Sequence, residues 1–254
     1  MKPEEDELNR VFWTAWRQLG ELTTFYSIML AGLPHGVAAI TLETEGFAEE
    51  LYKDGTLASL LVEPEKVDEF YEIMKEHKQQ VFKKNRDDAK RSLDAAAIVS
   101  AHGILDACVY GYLEVLSLAF PDSFTIYTER KKVDLSEVKL KSYDELHKDK
   151  IKKFMEGTVD RESLIYKLDK LHEVANPRST LMNPEHNYDR ERLEKFNKAR
   201  HDIVHGNSWR SYSIDFTKEF YYWNLLNSYL LRLVVQKTGL KISQEGGNKY
   251  FLEL

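Results

Sequence analysis

The chain has 254 residues, of which 43% are hydrophobic and 31% charged, an ordinary balance for a soluble globular protein of one or two domains with a proper core. Mean hydropathy is −0.50, no apolar run reaches the roughly 18 residues a spanning helix needs, and the acidic opening MKPEEDELNR has no apolar signal region behind it, so neither membrane insertion nor secretion is expected. The single cysteine, Cys108, excludes an internal disulfide and a multi-cysteine zinc site and fits a reducing cytoplasm, while the net charge of −6 argues against nonspecific nucleic-acid binding over the whole surface but not against a local basic site.

Glycine and proline together make 18 of 254 residues, well under the roughly 12% average, so the chain is poor in turns and rich in helix. The first helix is expected at about 7–31, with Leu8, Phe12, Ala15, Leu19, Leu22, Tyr26 and Met29 on one face and Pro34 and Gly36 ending it. Residues 37–61 are ambiguous: VAAITLETE reads as a strand and FAEELYKDG as a short helix closed by Gly55. A helical pattern from Glu65 to about Lys84 either runs on or breaks near Asn85. The next pattern, about 87–120, carries Leu93, Ala97, Val99 or Ser100, Ile104, Ala107, Cys108, Gly111, Val115 and Leu118. Its middle is apolar nearly all round, which marks the central buried helix. Pro121 stops it.

Residues 122–135 read as a loop, with Asp134 or Ser136 as a cap. Helices follow at about 142–156, opened by Ser142 and Glu145 in capping-box spacing and closed by Gly157, and at about 160–175. The stretch ANPRSTLMNPEHNYD is a loop. A helix of about 188–205 is closed by Gly206, and the last strong helix, about 215–237, carries Phe216, Phe220, Trp223, Leu226, Tyr229, Leu230 and Leu233. The fold class is therefore all-α, a helical bundle with a long apolar central helix. The expected division is an N-terminal extension at 1–84, the bundle at 85–240 and a short tail at 241–254. Charge is uneven: 41–72 sum to −8, 75–91 to +4 and 178–210 to +2, and each run reads first as a solvated helix face.

The informative stretch is Lys198-Ala199-Arg200-His201-Asp202-Ile203-Val204-His205-Gly206-Asn207. Polar and ionisable groups crowd the end of one helix, with Phe196, Ile203 and Val204 expected to anchor it. His205 sits at the helix's negative end, where a cation is favoured, and Arg200 stays charged and can hold phosphate oxygens bidentately. This Arg-His-x-x-x-His pattern, with Gly206-Asn207 behind it, resembles the signature of the HEPN superfamily, all-α domains many of which are metal-independent endoribonucleases. The order of elements over 87–237 is similar too.

The resemblance implies that Arg200 and His205 are catalytic, with His201 orienting them and Asn207 supporting. It implies a homodimer in which two motif helices build a composite site on RNA, and a role as a toxin or antiviral effector. An antitoxin or regulatory protein is an implied partner; no cofactor and no membrane are expected. The chemistry stands without the family: one imidazole deprotonates the RNA 2′-hydroxyl, another protonates the leaving 5′-oxygen, and arginine stabilises the charge on phosphorus. Trp209, Arg210 and Tyr212, just past the motif, are candidates to touch RNA. The aromatic-rich last helix holds more large apolar residues than one buried stripe needs, which points to a dimer built on 188–205 and 215–237.

Other readings compete. A non-catalytic helical module of the same fold would bind nucleotide, RNA or protein through the same face. His201 and His205, four apart beside Asp202, have metal-ligand spacing, but a site would need a third ligand such as His102, Glu114 or Asp106, and no HExxH pair supports it. The bland reading is a polar helix end, with His205 capping it. Glu114 and Asp106 are weak candidates to pair with Arg200, Cys108 suits core packing better than nucleophilic attack, and Phe220-Tyr221-Tyr222-Trp223 suits core and interface better than base stacking.

Overall fold

A computed structural model describes residues 2–53, 55, 66–124, 127, 142–175, 188–206 and 215–243. Six α-helices account for nearly all of these residues, and no strand occurs among them. They are α1 (Pro3–Lys53), α2 (Val67–Ala119), α3 (Tyr143–Phe154), α4 (Leu164–Ala175), α5 (Arg190–Val204) and α6 (Phe216–Thr238). A 3-10 turn at Pro121–Phe124 follows α2, and α3 runs on into one π-helical turn, Met155–Val159.

The chain forms two compact units, Met1–Thr23 with Ile98–Leu254, and Thr24–Ala97. The core of the larger unit takes Leu8, Phe12, Ala15 and Leu19 from α1 and Ile98, Leu105, Tyr112 and Leu116 from α2, with Leu164, Leu168 and Leu171 from α4 and Trp223, Leu226, Leu230 and Val234 from α6. Gly111 of α2 lets α1 approach closely: a Cβ there would come within 2.6 Å of Val11 Cγ2. Asn227 on α6 is fully buried and satisfied. Its Oδ1 accepts from Tyr112 OH at 2.8 Å and Cys108 Sγ at 3.2 Å, and its Nδ2 donates to Phe12 O. Burial pushes the Cys108 thiol up to about 12, so this cysteine is a core residue and not a nucleophile.

The capping-box expectation is met at Ser142–Glu145, and Gly206 and Gly239 end α5 and α6 with positive φ. Other expectations are corrected. Pro34 and Gly36 do not end the first helix, and VAAITLETE is not a strand: α1 continues to Lys53 with Pro34 inside it. Pro34 lacks an N–H for one helical bond, but long-range pairing of this segment, described below, overrides that local cost. The pattern from residue 65 does not break near Asn85 and runs into the central helix as α2, so residue 84 is no element boundary. Met29, placed on the buried face, is 45% exposed, and on α2 Leu118 is 58% exposed. A segment apolar on all sides carries no phase: of the expected set Ala97, Cys108, Gly111 and Val115 are buried, and Ile98, Ala101, Leu105, Val109, Tyr112, Leu113 and Leu116 are buried with them.

The stretch Phe82–Ala119 is long and apolar enough to cross a membrane by length and composition; Ile98, Ala101, Leu105, Cys108, Val109, Tyr112, Leu113, Val115 and Leu116 within it are buried in the core of the larger unit. Gly157 lies within the π turn and does not close a helix. The start of the C-terminal tail is packed: fully buried Asn9 takes Ser243 N–H on its Oδ1 at 2.9 Å, and Trp13 Nε1 donates to Ser243 O. Asp134, Ser136 and the loop after Ala175 fall outside the described residues.

Candidate functional site

The motif helix α5 is anchored along one face by Leu193, Phe196 and Ala199, all buried. The Phe196 ring lies 4.9 Å from Trp223 and 5.7 Å from His102. Ile203 is half-buried, but Val204 is 50% exposed, so it is not the anchor the sequence suggested; it sits about 100° round the helix from Ile203.

The first turns of α5 are clamped. Asp189 caps the helix by accepting from Arg192 N–H at 2.9 Å. Tyr222 OH accepts from Asp189 N–H at 3.0 Å and donates to Asp189 O. The Arg192 guanidinium binds both oxygens of Glu219 and lies 4.2 Å over the Tyr222 ring. Arg190 binds Asp169 bidentately and Glu194 as well.

The far end of α5 is different. His201 and His205 are exposed, with ring centroids 4.3 Å apart. His205 is the C-cap, its N–H bonded to His201 O, and Gly206 follows at φ 69°. Arg200 is half-buried and makes no ion pair among the described residues. Its charge reaches the buried His102 ring on α2. His102 Nε2 bonds Asn197 Oδ1 at 2.9 Å, and burial pushes this imidazole below its ordinary range, favouring the neutral ring. Two imidazoles therefore pair at the end of α5, and Arg200, without an ion pair among the described residues, sits on a different side of the same helix end.

The remaining candidates are placed elsewhere. Asp106 does not pair with Arg200; its Oδ2 takes Lys167 Nζ at 2.7 Å, and Lys167 is almost fully buried. Glu114 lies in a groove with Glu7, Tyr110 and Glu156, beside a cavity of about 350 Å³ that also reaches Asp160. Burial, then the Glu7 charge, pushes its carboxyl up, and burial pushes Tyr110 up to about 12. Lys148 and Lys152 also line that groove, with four acids against these two bases. Among the described residues no group of three His, Cys, Asp or Glu could hold a metal ion; His102 and Asp106, offered as third ligands, are bound to Asn197 and Lys167 instead.

Phe220, Tyr222 and Trp223 are buried and only Tyr221 is exposed, at 68%. The aromatic surplus that pointed to an interface on α6 is thus largely consumed within one copy. Asn207, Trp209, Arg210 and Tyr212 lie outside the described residues. Asn197 and the Arg192–Tyr222–Asp189 clamp were not singled out from sequence. Asn197 lies three residues before Arg200, on the adjoining turn of the helix, and that spacing was the signal for it.

Comparison of the chain with family models, curated proteins and solved structures gave no match.

Proposed function

We propose that the chain is an endoribonuclease of the HEPN type that cuts RNA without a metal ion, at a site composed from two copies. The observation that carries this reading is the exposed His201–His205 pair, 4.3 Å apart, on the same helix end as Arg200, which makes no ion pair among the described residues. A half-buried guanidinium with no carboxylate partner among the described residues is costly for a purely structural helix end. An RNA phosphate supplies the missing partner.

In the reaction one imidazole takes the proton of the 2′-hydroxyl. The 2′-oxygen bonds to phosphorus, the P–O5′ bond breaks, and an imidazolium protonates the leaving oxygen. Arg200 stabilises the extra charge on the phosphoryl oxygens. The products are a 2′,3′-cyclic phosphate and a 5′-hydroxyl. By helical periodicity Arg200 and His205 lie about 140° apart around α5, which favours Arg200 of one copy acting with the histidine pair of the other. Half-exposed Val204, between the two histidines in sequence, offers an apolar contact for that meeting. Trp209 and Arg210 follow as RNA contacts in this reading, with a toxin or antiviral role and an antitoxin as partner.

The test is incubation of the purified protein with a mixed RNA pool in excess EDTA. Cleavage is expected to persist, and Arg200→Ala and His205→Ala are each expected to lower it at least about a hundredfold, with His201→Ala milder. RNA binding without cleavage in the wild type would replace this reading with that of a binding module. Loss of cleavage on chelation, restored by one divalent ion, would replace it with a metal site.

A further inference from the structure

The smaller unit, residues 24–97, divides its charge unevenly along its length. Tyr26 OH donates to Asp94 Oδ1 at 2.7 Å, and Tyr52 OH donates to Asp68. Both pairs bracket the same midpoint, position 60, so the α1 and α2 portions of this unit run antiparallel in one constant register. In that register 29–42 lies opposite 78–91, and 43–53 lies opposite 67–77. Residues 78–91 hold six Lys or Arg and two Asp, a net of +4, whereas 29–42 hold no Asp, Glu, Lys or Arg. The described distal residues, 43–53 and 66–77, hold eight acids and three lysines, a net of −5. Two net-acidic stretches therefore run alongside each other in the distal part, and the basic run faces an uncharged stretch.

Some charges are matched locally: Lys90 pairs with Asp94, Arg91 with Asp88, Arg86 with Asp87 at 3.7 Å and Lys53 with Glu49. Lys83 and Lys84 are exposed and make no ion pair among the described residues. Glu50, Glu69 and Glu76 are exposed in the distal part. Apolar side chains are exposed in both parts: Phe25, Ile28 and Met29, on one helical face of the proximal part, and Ile73 in the distal part.

We propose that this helical hairpin docks antiparallel on the hairpin of a second copy of the chain, so that the acidic distal part of each lies along the basic proximal part of the other. A two-fold axis makes the contact self-complementary and repeats it twice. An anionic lipid surface or an RNA would match the basic run but be repelled by the larger acidic part. A partner carrying both signs in the reverse order satisfies both, and a second copy has that order. The exposed apolar residues add buried area to a contact whose register the charges set. The contact uses no residue of the α5 helix end and stands independently of the RNA reading.

The test is sedimentation velocity of the full-length protein at about 0.05 M and about 0.5 M salt, with two charge-reversed variants. One is Lys83→Glu with Lys84→Glu and Arg86→Glu; the other is Glu50→Lys with Glu69→Lys and Glu76→Lys. The wild type is expected to associate, at least about tenfold more weakly at the higher salt. Each variant alone is expected to lose that salt-sensitive association, since like charges then oppose. Mixing the two variants restores both complementary contacts, so the hetero-association is expected to exceed its statistical share. A monomeric wild type, variants that associate as the wild type does, or purely statistical mixing would overturn the proposal. So would a monomer whose basic run binds anionic vesicles or RNA instead.

Discussion

The two ends of α5 are built on opposite principles. At its start each arginine is held: Arg190 by Asp169 and Glu194, Arg192 by Glu219 and the Tyr222 ring. At its end Arg200 makes no ion pair among the described residues and two imidazoles are exposed. Both ends belong to one 15-residue helix with a continuous buried face. Packing therefore accounts for the first end, and the proposed chemistry is assigned to the second. Groups that stabilise the fold should change stability when altered and leave cleavage per folded molecule intact. Groups at the open end should do the reverse.

The largest effect on stability is expected at Trp223, the fully buried side chain behind the helix, in ring contact with Phe196, Phe216 and Phe220. Trp223→Ala should cost about 3–5 kcal/mol in denaturant unfolding. The Arg200→Ala change expected to slow cleavage a hundredfold corresponds to about 2.7 kcal/mol of barrier, yet it should move the unfolding midpoint little. A large loss of stability in that variant would mean that the guanidinium is structural and would remove the contrast between the two ends.

A smaller effect belongs to the cap. Asp189→Ala removes the acceptor for Arg192 N–H and should cost about 1 kcal/mol, with cleavage per folded molecule unchanged. If cleavage fell in proportion to the hundredfold loss expected at Arg200, the two ends would not be separable.

The smallest effect is one of pH. Burial pushes His102 and His172 below their ordinary value of 6.5. His172 Nδ1 bonds Leu168 O at 2.8 Å, and its Nε2 meets Tyr229 OH at 3.0 Å. The folded state holds both rings neutral, while the unfolded chain takes up protons near 6.5. Stability from these rings is therefore complete above about pH 6.5 and lost as pH falls below it. Thermal melts should shift downward between about pH 7 and pH 5, and His172→Gln should flatten part of that slope. A midpoint that rises over that interval would contradict the neutral assignment.

The helical class, the capping box at Ser142 and the closing Gly206 were legible in the sequence, because each depends on local chemistry at fixed spacing, whereas Gly36 and Gly157 close no helix. The continuity of α1 through Pro34 was not: it rests on pairs such as Tyr26–Asp94, 68 positions apart. The phase of the central helix was hidden by its apolar residues on every side. At the site, Arg200, His201 and His205 stood out as a motif, whereas Asn197 and His102 acquire meaning only when α2 meets α5. Ile203 and Val204 are both apolar, and only the buried face set by Leu193, Phe196 and Ala199 tells them apart.

The central claim is that the RNA supplies its own nucleophile to the Arg200–His205 end of α5. The most direct measurement pairs an RNA that the protein cleaves with the same RNA carrying a single 2′-deoxyribose at the cleavage position, both in excess EDTA. Cleavage of the ribose strand to a 2′,3′-cyclic phosphate, with the deoxy position left intact, is the predicted result. Equal cleavage of both strands would contradict the account, because the attacking group would then come from elsewhere.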